Sequence, residues 1–161
     1  MEEGMCGAVR FAWHDVLDPL LPEITTPTGS YESRYWQGTP VLPVQFADTS
    51  LQLMRWGNRN EIAELPATAW VKHESLLAGK WQRYAPQLVT IPVCAGYEQG
   101  VWFGIEHGIH GLVAGGRVFM LTEAADADYW QMTHHQRMPR LIAQTVRIPM
   151  AGSHHQQRLF E

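Results

Sequence analysis

The sequence is short of several things at once. Of its 161 residues only two are cysteines, Cys6 and Cys94. That is too few for a disulfide framework, so a reducing cytoplasm is the expected compartment. No apolar run approaches the roughly 20 residues that a membrane-spanning helix requires, so no membrane association is expected. The first residues carry Glu2 and Glu3 rather than lysines, with no apolar stretch behind them, and predict no secretory signal. Internal repeats and low-complexity tracts are missing as well. Positive charge is also scarce: 12 Lys and Arg stand against 16 Asp and Glu, a formal net charge of −4. Proteins that hold nucleic acid usually present a basic face, because counterion release supplies much of the affinity. The overall balance therefore opposes nucleic-acid binding except through a local groove. Arg34, Arg55, Arg59, Lys72, Lys80, Arg83, Arg137 and Arg140 are the cations available to line one.

What is present suits a folded domain. Hydrophobic residues make up 45% of the chain, enough to argue against disorder and for one domain over residues 1–161. Short apolar segments cut by Pro and Gly predict strands at Ala8–Trp13, Val41–Phe46, Leu51–Trp56, Leu88–Val93, Val101–Glu106, Ile109–Val113 and Val118–Leu121. Gly115-Gly116 and His107-Gly108 read as turns between strands. Helices are expected at Glu74–Leu77, ended by Gly79, and at Ala124–Met132, with Thr122 as the cap. Pro139 forces Met138 extended, which puts His135 on a loop before a final strand near Leu141–Ala143. The expected fold is an α+β domain whose mainly antiparallel sheet curls or closes like a barrel. A monomer with a flexible tail at residues 152–161 is expected, and residues 1–5 read as a removable leader.

Three side chains invite chemistry. A cysteine at a free N-terminus carries amine and thiol on adjacent carbons. The α-amine titrates at about 7.7–8.0 and attacks aldehydes to give a Schiff base, and the thiol then closes a thiazolidine ring. Cys6 becomes such a residue only if Met1-Glu2-Glu3-Gly4-Met5 is absent or removed; otherwise it is a small core cysteine. Glu98 follows Gly96-Tyr97, where partial desolvation between Tyr97 and Trp102 raises a carboxyl pKa and makes it a general acid. The alternative is a surface glutamate at a strand end. His135, with an ordinary pKa of about 6.5, passes protons at neutral pH, and Arg137 beside it suits a phosphate. The alternative there is a solvated loop histidine, with His134 as a competitor for the role.

Other residues say less. His107-Gly108-Ile109-His110 and His154-His155 lack thiolate or carboxylate partners at zinc spacing, so no metal is expected. Cys94 reads as core. Seven tryptophans are many for this length; most are expected inside, with one or two exposed as a stacking platform for unpaired bases.

The motifs resemble the SOS-response-associated peptidase (SRAP) family over about residues 5–143. Met5-Cys6-Gly7 is similar to the family's opening M-C-G-R, with the arginine displaced to Arg10. Arg34-Tyr35-Trp36-Gln37-Gly38-Thr39-Pro40 is similar to R-Y-N-x-A-P, with tryptophan for asparagine. Arg55-Trp56-Gly57 carries the W-G pair. Trp70-Val71-Lys72-His73-Glu74-Ser75 is similar to N-A-R-x-E-T, with tryptophan for asparagine and lysine for arginine. Pro92-Val93-Cys94-Ala95-Gly96-Tyr97-Glu98 resembles P-x-x-G-[FWY]-[FY]-E. Val118–Ala124 resembles the strand that ends in T-x-A, and His135-Gln136-Arg137-Met138-Pro139 resembles H-[DN]-R-M-P. The family's longer C-terminal portion has almost no counterpart.

The resemblance implies an SRAP-like fold and covalent capping of abasic sites in single-stranded DNA. It implies Cys6 as the crosslinking nucleophile, Glu98 as the acid and Schiff-base assistant, and His135 as the proton-transfer partner. Arg10, Arg34, Trp56, Trp70, Lys72, Thr122 and Arg137 would then face the DNA, and no cofactor is implied. Two rival expectations stand beside it: a binding protein of phage or mobile-element origin that keeps the fold without the chemistry, and a cysteine-type peptidase acting on itself or on proteins, with Cys6 as nucleophile and His135 as base.

Overall fold

The computed structural model describes residues 6–144 and 150. Their strands are β1 (Ala8–Phe11), β2 (Ile24–Thr25), β3 (Tyr31–Arg34), β4 (Val41–Gln45), β5 (Leu51–Arg55), β6 (Trp70–Lys72), β7 (Gln87–Ile91), β8 (Ala95–Glu98), β9 (Val101–Gly104), β10 (Ile109–Ala114), β11 (Arg117–Ala124) and β12 (Arg137–Pro139). Two short helices, α1 (His73–Leu77) and α2 (Ala127–Thr133), complete the regular structure beside one 3-10 turn. One sheet has the order β2-β3-β1-β8-β9 and the other β12-β11-β10-β7-β4-β5, with β6 added parallel to β11. All other strand pairs are antiparallel.

The α+β, mainly antiparallel expectation therefore matches the architecture. The barrel-like closure does not: both sheets are open, each ending in edge strands. The seven expected strands all form, with ends shifted by a residue or two or, at β11, extended to Ala124. The last strand is β12 at Arg137–Pro139, earlier than Leu141–Ala143; Leu141 keeps only an isolated bridge to Ile109. The expected leader and tail lie outside the described residues.

Alternation along the strands decides what is buried. In the first sheet Val9 lies opposite Ser33 and Gly96, and Gly96 opposite Phe103. Those positions face the core, while Ala8, Arg34, Tyr97 and Trp102 share the other side. The main core joins both sheets through Val9, Phe11, Leu42, Val44, Ile91, Phe103, Ile109 and Met120. A second cluster, with Trp81, Leu112, Phe119 and Leu121 at its centre, has Leu76 of α1 packed against it. Each buried Leu, Ile or Phe contributes about 1.5–3 kcal/mol by leaving water.

Local signals set the turns and helix ends. Gly115 and Gly116 both have positive φ, 59° and 77°, as the tight β10–β11 hairpin requires. Helix α2 starts later than expected because Asp126, not Thr122, caps it: the Asp126 carboxylate accepts from the Tyr129 amide at 2.8 Å. Thr122 instead lies within β11, opposite Pro139. His134 ends α2 in the left-handed conformation, φ 57°, and turns the chain toward β12.

Candidate active site

Cys6 stands immediately before β1, the central strand of its sheet. The Gly7 amide donates to the Tyr97 carbonyl at 3.1 Å and the Tyr35 amide to the Gly7 carbonyl at 2.8 Å. The indole Nε1 of Trp70 donates to the Cys6 carbonyl at 3.0 Å. The backbone of Cys6 is thus fixed from three elements. Its thiol is fully buried and lies against Gly96, where an added Cβ would approach Sγ to 3.0 Å and Phe103 Cζ to 2.8 Å. The glycine leaves room for the Phe103 ring and the sulfur together.

Glu98 follows Gly96 by two residues on the same inward face of β8, so it too is buried, 1% exposed. This corrects the surface alternative: Glu98 does end a strand, but on the core side. Its Oε1 accepts from the Tyr129 hydroxyl at 2.9 Å. Its Oε2 is buried with no hydrogen-bond partner among the described residues. Burial pushes the carboxyl from its ordinary 4.5 up to about 8, against the opposing pull of the Tyr129 hydrogen bond. The Cys6 thiol is pushed up strongly, first by burial and then by the charge of Glu98; hydrogen bonds with the Tyr97 and Ala8 backbone oppose this. At neutral pH the pair is therefore a thiol beside a largely protonated carboxylic acid.

His135 is half-buried on the loop after α2. Its Nδ1 lies 3.1 Å from both the amide nitrogen and the carbonyl oxygen of Arg137. According to its tautomer, Nδ1 accepts from the Arg137 N–H or donates to the Arg137 carbonyl. The His135 amide donates to Thr133 Oγ1 at 3.2 Å, and that hydroxyl donates to the Tyr129 carbonyl at 2.8 Å. Helix α2 thus carries a side chain to Glu98 and holds the His135 loop. Cys6 and Glu98 lie within electrostatic reach of each other, whereas His135 is tied to the helix whose Tyr129 reaches Glu98.

The residues expected to face DNA divide into three groups. Trp56 and Trp70 are buried, 2% and 5% exposed, in an aromatic cluster with Tyr35. The correction is that their faces are spent on one another, not offered to bases. Arg10 and Arg34 both pair with the buried Glu32, and the Arg10 guanidinium lies 3.9 Å from the Trp102 ring centroid. Lys72, Thr122 and Arg137 form a rim. Lys72 is exposed and in register with Thr122, while Thr122 is buried and accepts from Arg137 at 3.0 Å. Arg137 also grips both carboxylate oxygens of Glu74, at 2.8 and 3.1 Å. That hydrogen bonding, more than charge, takes Glu74 down to about 2.

Of the tryptophans, Trp36 and Trp130 are the two with large exposure, 47% and 46%. Trp36 borders a groove of about 540 Å³ with Tyr35, Arg59, Asn60 and Thr68, where the Arg59 guanidinium lies 4.3 Å from the Tyr35 ring centroid. Cys94, expected in the core, is exposed beside the Arg10 carbonyl. The described residues contain no group of three or more His, Cys, Asp or Glu placed to hold a metal, and His154-His155 lies outside them. No described helix is long and apolar enough to cross a membrane.

Sequence reasoning missed Tyr129, Glu32 and Glu74. An Asp-x-x-Tyr spacing at a helix start was the one available signal for Tyr129, since a cap at Asp126 fixes which residue of α2 follows it by three. Nothing local marks Glu32 or Glu74 as partners of distant arginines. No family model, curated protein or solved structure matches this chain.

Proposed function

We propose that the protein caps abasic sites in single-stranded DNA through Cys6, as a divergent SRAP-type protein. The observation that carries this reading is the burial of Glu98 within electrostatic reach of the Cys6 thiol, where desolvation favours the protonated acid. In this reading the Met5–Cys6 peptide bond is first hydrolysed, which consumes one water and frees the Cys6 α-amine. Glu98 delivers its proton to the ring oxygen of the abasic sugar as the C1′–O bond breaks, and its carboxylate takes the C1′ hydroxyl proton in return, which leaves the aldehyde and restores the acid. The neutral amine adds to that aldehyde, and the carbinolamine loses water, its hydroxyl leaving with a proton from Glu98. The thiol sulfur then adds to the imine carbon, its proton goes to Glu98, and the nitrogen ends as the ring amine. Aldehyde and aminothiol give one thiazolidine and one water. His135 exchanges protons with solvent, and Lys72 and Arg137 receive phosphates, with the buried Thr122 holding the Arg137 guanidinium.

The test is a denaturing gel with an oligonucleotide bearing one abasic site, run with wild-type protein and Cys6→Ala, beside intact-mass measurement of the mature N-terminus. A heat-resistant shifted band that requires Cys6 supports capping. A band that survives Cys6→Ala removes Cys6 as the nucleophile.

A second reading, a binding protein that keeps the fold without the chemistry, is favoured by one specific feature. Arg10, Arg34 and Arg137 are already paired with carboxylates of the same chain. Mature protein that retains Glu2-Glu3-Gly4 and forms no band would favour it.

A further inference from the structure

We propose that Tyr129 is a positioning residue that fixes the exchangeable proton of Glu98 on Oε2, so that one oxygen serves every proton transfer at Cys6. The proposal rests on the capping reading for its chemistry, and on geometry for the proton. Tyr129 is fully buried. Its ring meets Phe103 edge-on, with centroids 5.5 Å apart and planes at 85°. Its own amide is tied to Asp126 at the start of α2. The phenol therefore has little freedom, and its hydroxyl donates to Glu98 Oε1 at 2.9 Å.

A protonated carboxyl has one O–H and one carbonyl-like oxygen. The oxygen that accepts from Tyr129 is the carbonyl-like one, which leaves the proton on Oε2. Oε2 is also the buried oxygen without a hydrogen-bond partner among the described residues, so a donor there is uncommitted and available to a reacting atom. When Glu98 gives its proton to a leaving oxygen, Tyr129 holds the resulting carboxylate through Oε1. Oε2 takes back the C1′ hydroxyl proton after the sugar opens and the thiol proton after the thiazolidine closes, so each of the two donations is matched by a return.

Among the described residues, few groups act on Glu98. Tyr129 comes from α2 and Cys6 from the segment before β1, and β9 contributes the apolar Val101 and Phe103. Desolvation and the phenol thus oppose each other: one favours the acid and the other the carboxylate. Tyr129 keeps Glu98 from becoming an acid too weak to give up its proton.

The experiment follows the carboxylic-acid infrared band of Glu98 against pH in the full chain, the band being identified by its loss in Glu98→Gln. Wild type should titrate at about 8. Tyr129→Phe keeps the ring against Phe103 and should move the midpoint up by about one unit, the size of a hydrogen bond to a charged group. Tyr129→3-fluorotyrosine, a stronger donor of the same shape, should move it down and decides the matter alone if Tyr129→Phe does not fold. A midpoint that stays in place in a folded variant overturns the proposal. The alkaline limb of crosslinking should move with the band, and Tyr129→Phe in a Glu98→Gln background should add no further loss. A general loss of rate at every pH without a moved limb is the mark of a merely structural tyrosine. If wild type makes no crosslink while the band still moves, the capping reading fails and the tyrosine's role stands. If crosslinks form and the band stays, the tyrosine's role fails and capping stands.

Discussion

Glu98 and Glu74 are the same side chain driven in opposite directions by where the fold puts them. Glu98 faces the core, with one tyrosine hydroxyl as its donor, and is pushed up to about 8. Glu74 is 62% exposed on the rim, held by both arms of Arg137, and is taken down to about 2. Desolvation wins where one neutral donor is the opposition, and a charged fork wins where water still reaches the pair. The first region is suited to moving protons and the second to holding charge.

The sign of each effect on stability follows. Glu98 binds a proton in the folded chain that the unfolded chain has released, so its contribution is complete below about 4.5 and is lost as pH rises through about 8. Glu74 contributes above about 4.5, and that contribution is lost as pH falls through about 2.

The largest test of the contrast is Glu98→Gln. In the capping reading it should slow crosslinking roughly a hundredfold to ten-thousandfold, as loss of a general acid does, read from band intensity against time. It should also flatten the decline in urea stability between pH 4.5 and about 8. An unchanged decline would mean that Glu98 is not the group responsible. Next comes Gly96→Ala, whose new methyl would press on both Cys6 Sγ and Phe103. About 1–3 kcal/mol of destabilisation is expected from such overpacking, measured by urea unfolding. Little change would mean that the pocket around the thiol yields. Smallest is Glu74→Gln. An exposed pair contributes about 0–1 kcal/mol, so unfolding should barely move. In the capping reading, Arg137, freed of its carboxylate partner, should instead tighten binding of a plain single-stranded oligonucleotide at low salt. A stability loss as large as that of Gly96→Ala would make the rim a structural element and erase the contrast.

The parts of the fold that could be read from residues are those where apolar alternation carries the signal. Val41–Gln45, Leu51–Arg55 and Ile109–Ala114 are visible for that reason. Strand β3 is not, because Tyr31-Glu32-Ser33-Arg34 looks like a polar loop until Glu32 is seen buried between Arg10 and Arg34. Strand β8 hides for a different reason: Gly96 is required by the Phe103 ring and by a sulfur 90 positions away in the chain, and no local pattern encodes that. Within the site, Cys6, Glu98 and His135 stood out through their short motifs. Tyr129 did not, since its importance depends on the aim of a helix whose start was placed at the wrong cap. Trp56 and Trp70, which the motif resemblance sets toward DNA, lie buried against Tyr35 and each other, because a short motif carries no information on which aromatic rings pack together.

Cys6 runs straight into β1, and β1 pairs along both sides, with β3 and with β8. A group at the beginning of a chain usually hangs on a frayed end. Here, in the capping reading, tension on a DNA strand attached at Cys6 would pass lengthwise into two hydrogen-bonded ladders that must slip together before either yields. The tether would be loaded in shear, and the attached strand would be anchored by the sheet as a whole.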